Sequence, residues 1–136
     1  MGAREIESRE TGSRQILMID DEETIQTVVK FGLQLTAGWQ MLAACSGPTG
    51  IALAQQHQPD AILLDVMMPE MDGVATFKAL QAAESTRHIP VIFISSVNSR
   101  LIIDSMIRQG ITDYLVKPFK PEDLTAKVNS IFNGNI

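Results

Sequence analysis

The feature that most constrains the fold of this chain is a fivefold alternation. Five short runs rich in Ile, Leu and Val occur at Ile16–Ile19, Met41–Ala44, Ala61–Leu64, Val91–Ile94 and Tyr114–Val116. Runs this short and apolar on both faces suit strands buried inside a parallel sheet. Between them lie segments with helical spacing. In the first, Ile25, Val28, Val29, Gly32 and Leu33 share a side, with Gln26, Lys30 and Gln34 opposite. A second helix is expected after Ser46-Gly47-Pro48, ending before Pro59. Val74, Phe77, Lys78 and Leu80 belong to a third, and Ile102, Ile103, Met106 and Ile107 to a fourth that Gly110 stops. Leu124, Val128 and Ile131 give the apolar face of a fifth, opened by Pro121-Glu122-Asp123. Strands and helices in strict alternation imply right-handed crossovers and an α/β fold, its parallel sheet covered on both faces.

Residues 1–14 are polar, mixed in charge and without apolar periodicity, and read as a flexible N-terminal tail. The fifth helix runs almost to the last residue, so 134–136 is expected to be a bare C-terminal end with no second domain after it. Hydrophobic residues at 45% and charged residues at 20% fit a globular chain. The net charge is -5 and the basic residues are scattered, so a direct grip on nucleic acid is not expected. Cys45 is the only cysteine; it excludes an internal disulfide and reads as a buried, inert thiol. No apolar run approaches the ~20 residues of a membrane span, and the N-terminus lacks a secretion signal. It begins Met-Gly, but Ile6 stands where a myristoylation motif wants Ser or Thr. A cytoplasmic location is the default. His57 and His88 have no ligand-spaced partner and read as surface residues.

The polar residues fall at informative places. Asp20 and Asp21 follow the first run directly, Asp65 the third, Ser95 the fourth and Lys117 the fifth. In an open α/β sheet the carboxyl ends of the strands form the ligand-binding edge, above all where strand order reverses. With the first and third strands adjacent there, three carboxylates meet in one cleft flanked by Ser95 and Lys117. Two unit charges ~4 Å apart cost ~4 kcal/mol at an effective dielectric of ~20. Either some protonate or a cation settles among them. Hard oxygen donors open to water favour Mg²⁺, or Mn²⁺. An Asp carboxylate can then act as a nucleophile and form an acyl phosphate. The Lys117 ammonium and the Ser95 hydroxyl are suited to the phosphoryl oxygens. No general base stands among these residues, so the set suits a site that takes a phosphoryl group and keeps it.

Ile16-Leu17-Met18-Ile19-Asp20-Asp21 is followed by Leu63-Leu64-Asp65-Val66-Met67-Met68-Pro69 and Met71-Asp72-Gly73. Pro90-Val91-Ile92-Phe93-Ile94-Ser95-Ser96 and Asp113-Tyr114-Leu115-Val116-Lys117-Pro118-Phe119 complete the series. From about Gln15 to Phe132 the chain resembles the receiver domain of response regulators, the phosphoacceptor partner of histidine kinases. The resemblance implies a receiver over 15–133 with a flavodoxin-like (βα)5 fold. That fold is a doubly wound, five-stranded parallel sheet of order 2-1-3-4-5 in three α/β/α layers. It implies Asp65 as phosphoacceptor, and Asp20, Asp21, Asp65 and the Met67 backbone carbonyl as Mg²⁺ ligands. Lys117 would contact the phosphoryl group, and the Lys117-Pro118 peptide would be cis. Ser95 is the switch hydroxyl, and Tyr114 the aromatic that turns inward as Ser95 moves toward the phosphate. A modification adding roughly -1.5 to -2 charges draws such a hydroxyl and its loop toward itself. The surface of the fourth helix, fifth strand and fifth helix would change shape in response. Implied partners are a histidine kinase or histidine phosphotransfer protein, a downstream protein, and a second copy in a phosphorylation-dependent dimer. Gln26, Thr27, Lys30 and Phe31 on the first helix would face the phosphodonor.

Departures from the family pattern bear on kinetics. Ser96 replaces the usual Ala or Gly but is small enough to leave phosphoryl access intact. Met67 and Val97, each two residues past a key position, are apolar and cannot orient an attacking water, so self-dephosphorylation is expected to be slow. A phosphatase of the haloacid-dehalogenase type would want a second Asp where Met67 stands. A pseudo-receiver that binds partners without phosphate would not need the complete acidic set and Lys117. Taken singly, Asp20-Asp21 would read as a solvated helix start and Lys117 as a surface lysine; their joint placement argues otherwise. Leu101 falls on the polar side of the fourth helix and is a candidate docking residue.

Overall fold

A computed structural model describes residues 14–68, 72–96 and 100–133. The elements run β1 (Gln15–Ile19), α1 (Glu23–Ala37), β2 (Gln40–Ala44), α2 (Gly47–His57), β3 (Ala61–Asp65), α3 (Gly73–Ala82), β4 (Val91–Ser95), α4 (Arg100–Arg108), β5 (Asp113–Val116) and α5 (Pro121–Phe132). The five strands are parallel in the order β2-β1-β3-β4-β5, the expected flavodoxin-like arrangement. Each observed strand lies within one residue of the apolar run that marks it.

The pleat divides the core in two. Leu17, Ile19, Ile62, Leu64 and Phe93 face one side of the sheet and pack with Phe77 and Leu80 of α3. Phe77 and Phe93 meet edge to face with centroids 5.6 Å apart. Ile16, Met18, Leu63, Ile92 and Ile94 face the other side and meet Leu33 of α1 and Leu124 and Val128 of α5. β1 and β3, at the centre, are buried almost throughout, which explains their unbroken apolar sequence.

Local chemistry sets the element ends. α1 stops at Gly38, whose φ of 71° lies in the left-handed region that favours glycine. α2 begins where the Ser46 hydroxyl accepts from Thr49 N at 3.3 Å. α1 and α5 approach closely because Gly32 has no side chain: a Cβ there would stand 2.4 Å from Pro121 Cβ. Beside that contact the Thr36 and Thr125 hydroxyls lie 2.7 Å apart.

Several expectations are corrected. The buried face of α1 is rotated away from Val28, which is exposed, and toward Gln26, which is buried. Gln26 is therefore not part of an exposed phosphodonor face. Its amide donates to Asp20 O at 2.6 Å and Ala44 O at 2.9 Å, joining the ends of β1 and β2. Thr27, Lys30 and Phe31 are exposed as expected. In α4, Ile103 and Met106 are buried but Ile107 is exposed, because this nine-residue helix at the sheet's edge buries only a narrow stripe. The Ile102 side chain lies outside what is described. Leu101 is exposed. Cys45 is exposed rather than buried, since it follows the edge strand β2, whose residues are themselves mostly accessible. Residues 1–13 of the expected tail, and 134–136, lie outside the described residues. Arg14 is tied to the fold: its carbonyl accepts from Gln40 N at 2.9 Å, and its guanidinium sits 4.5 Å over the Phe132 ring. No helix among the described residues is long and apolar enough to cross a membrane.

Candidate functional site

The carboxyl ends of β1, β3, β4 and β5 converge on one edge. Asp20 follows β1 and is fully buried; Asp65 closes β3 and is 3% exposed. Their burial follows from their strands, which lie side by side at the centre of the sheet where the order reverses. Asp21 is exposed. One carboxylate oxygen from each of Asp20, Asp21 and Asp65 lies within 4.8 Å of the others. Close carboxylates made only of hard oxygen donors fit a divalent cation such as Mg²⁺.

Lys117 reaches this cluster from the end of β5. Its Nζ stands 3.2 Å from Asp20 Oδ2 and 3.6 Å from Asp65 Oδ2. A third carboxylate, Glu22, is 3.2 Å from the same nitrogen. The Lys117 backbone N donates to Ser95 O at 2.8 Å, which fixes the β5 end against the β4 end. The Lys117-Pro118 peptide is cis, as the resemblance implies.

Backbone amides brace both central carboxylates. Asp20 Oδ1 accepts from Glu22 N at 2.9 Å, and Asp65 Oδ1 from Met67 N at 3.2 Å. The second bond holds the Met67 backbone beside Asp65. Gly73, at the start of α3, packs on the same turn: its N donates to Val66 O at 2.9 Å. Asp72 caps α3, its Oδ1 accepting from Ala75 N at 2.8 Å. Met71 of the Met71-Asp72-Gly73 motif, and Val97, lie outside the described residues.

The electrostatics follow from this crowding. Burial pushes the Asp65 carboxyl up, and Asp20 pushes it further; the Lys117 charge and the Met67 amide oppose them, leaving a pKa of about 6. Burial works against the Lys117 ammonium, but attraction to Asp65 and Asp20 and hydrogen bonds to Glu22 and Asp20 outweigh it, so its pKa is raised. The three aspartates are thus a cluster that could hold a cation, with the Lys117 ammonium already among them.

Ser95 is half-buried at the end of β4 and Tyr114 half-buried in β5. Both line a small cavity of about 20 Å³ with Phe93, Ile103, Met106 and Leu115. The structure thus brings Asp20, Asp21, Asp65 and Lys117 together and links Ser95 to Tyr114, while Lys30, Phe31 and Leu101 stand outside on the surface. Glu22 is the residue that sequence reasoning passes over. The only signal for it is the acidic run Asp20-Asp21-Glu22-Glu23, which reads equally well as a helix start.

Residues 16–129 match the family model of the response regulator receiver domain. The chain is 37% identical over 117 residues to the DNA-binding dual master transcriptional regulator RpaA of Synechocystis, covering 86% of this chain and 48% of that protein. It is similar to the chemotaxis protein CheY4 of Vibrio cholerae, with a TM-score of 0.81 and 30% identity over 88% of this chain and 98% of that one. The receiver domain of the Pseudomonas aeruginosa sensor histidine kinase PA1611, with a magnesium ion coordinated in its active-site cleft, gives a TM-score of 0.78. That likeness is 27% identical and covers 86% of this chain and 95% of the other. The chain spans about half the length, or less, of the curated relatives it matches.

Proposed function

The chain belongs to the response regulator receiver domain family, and from that premise we propose that it is a signalling switch set by phosphorylation of Asp65. Receivers are signalling switches rather than enzymes of metabolism. In this reading an Asp65 carboxylate oxygen attacks the phosphorus of a phosphohistidine on a histidine kinase or phosphotransfer protein. The P–N bond breaks, the imidazole nitrogen takes a proton from solvent, and an acyl phosphate remains on Asp65. Mg²⁺ (or Mn²⁺), held by Asp20, Asp21, Asp65 and the Met67 carbonyl, would supply the positive charge that offsets the incoming phosphoryl oxygens. Lys117 leaves its carboxylate partners to hold one of those oxygens, and Ser95 donates its hydroxyl to another. The pull on Ser95 frees the space into which Tyr114 turns, and α4, β5 and α5 carry the change to a downstream protein or to a second copy of the chain. Thr27, Lys30 and Phe31 form the face offered to the phosphodonor. Such donors act in the cytoplasm, where this reading places the chain.

One observation carries the proposal: an ammonium at the end of β5 reaches the carboxylates at the ends of β1 and β3. Acetyl phosphate with Mg²⁺, followed by intact mass measurement, tests it. The parent gains one phosphoryl mass and Asp65→Asn gains none; equal gain by both, or gain by neither, overturns it.

A further inference from the structure

Asp113 and Tyr114 are successive residues of β5, so their side chains leave opposite faces of the sheet. One group nevertheless touches both. Lys127 Nζ, from α5, lies 3.3 Å from each carboxylate oxygen of Asp113 and 5.6 Å from the centroid of the Tyr114 ring. A single ammonium can meet both only around the free edge of β5, the last strand of the sheet. The ring therefore lies toward that edge while lining the cavity it shares with Ser95, Phe93, Ile103 and Met106.

We propose that Lys127 is a positioning residue for the switch: anchored by Asp113, it holds the Tyr114 ring at the edge of β5 and opposes its movement into the cavity beside Ser95. The inference rests on the switch proposed above and adds a restraint that sets its resting balance. The cation is attracted to the ring face, and that attraction is lost when the ring turns inward. The Asp113 pair keeps the flexible lysine stem from wandering off. Because a ligand at Asp65 has to work against the latch, removing the latch strengthens that ligand's apparent binding by the same factor that it shifts the ring.

Tyr114 is the only tyrosine in the chain, so 3-fluorotyrosine labelling gives one ¹⁹F resonance. Beryllofluoride with Mg²⁺ serves as the acyl-phosphate mimic at Asp65. The wild-type resonance moves on saturation. Lys127→Met keeps the apolar stem, moves the unactivated resonance part of the way to the activated position, and lowers half-saturating beryllofluoride by about two- to fivefold, the size of an exposed cation–π contact. Lys127→Arg behaves as wild type, and Asp113→Asn shifts both readouts in the Lys127→Met direction by less. Unchanged half-saturation in Lys127→Met, with or without a local change of its resonance, overturns the latch while the wild-type response upholds the moving ring. A wild-type resonance that ignores beryllofluoride overturns both.

Discussion

Gly73 lies against the backbone of Asp65: a Cβ on Gly73 would stand 2.4 Å from the Asp65 carbonyl oxygen and 2.6 Å from Val66 Cα. The first residue of α3 thus sets how closely that helix approaches the strand end bearing the proposed phosphoacceptor. Backbone, not a flexible side chain, is in the way, so Gly73→Ala has to move α3 or the β3 end. We expect a loss of about 1–3 kcal/mol in chemical denaturation. Acetyl phosphate labelling of Asp65 should slow by roughly tenfold or more, since reacting groups tolerate little displacement. Wild-type labelling kinetics in this variant would count against the tie between helix and site.

The Asp65 carboxyl carries a pH signature. Its folded pKa of about 6 lies above the ordinary value of 3.8. Between those values the folded chain binds more protons than the unfolded chain, so Asp65 destabilises the fold progressively as pH rises through that window. In chelator-treated protein, Asp65→Asn should be the more stable form above pH 6, by up to about 3 kcal/mol, with the advantage fading as pH falls toward 4. Excess Mg²⁺ should stabilise the parent more than the variant and shrink the difference. Thermal melts across pH, with and without Mg²⁺, decide the matter; a variant advantage that grows toward low pH has the wrong sign.

Gln26 and Phe31 lie on one helix and have opposite expected behaviour. Gln26→Leu takes the amide donor from the buried Asp20 carbonyl and leaves Ala44 O with the Asp20 N–H alone. Its cost should be about 1–3 kcal/mol. Phe31 is 58% exposed. Phe31→Glu should leave stability within about 0.5 kcal/mol and acetyl phosphate labelling intact. Transfer from a cognate phosphohistidine protein should slow, because only a protein donor needs that face. Denaturation curves and the two labelling assays separate these outcomes.

The same pair shows what a sequence discloses here. β1 and β3 are legible because central parallel strands are apolar on both faces, and a polar residue breaking such a run must sit at the strand's end. Asp20, Asp65, Ser95 and Lys117 are found by that rule. Their mutual distances depend on strand order, which periodicity alone does not contain; the family resemblance supplies it. Helix faces are less legible. Gln26 is buried for its hydrogen bonds, so apolar spacing turns the α1 face toward Val28 instead. Ile107 and Cys45 err the opposite way, since an edge helix and an edge strand leave apolar groups accessible that a central position would cover. Glu22 has no periodic signature; its contact with Lys117 arises from residues 95 positions apart.

The lifetime expected of the proposed acyl phosphate follows from what stands beside Asp65. Met67 is two residues past Asp65, its backbone fixed by the bond to the carboxylate and its side chain 62% exposed. A thioether is at best a weak acceptor and gives an attacking water no donor to align it. On the proposed reading, hydrolysis is expected to depend on an unassisted water reaching the phosphorus in line, with the group staying in place for minutes or longer. Met67→Asn introduces an amide that can hold a water near the phosphorus, and should shorten the half-life about severalfold without altering the labelling rate. Intact mass, followed over time after acetyl phosphate is removed, reads both values. A parent half-life of seconds would show that water is oriented by another group, with the apolar character of Met67 having no hold on the rate.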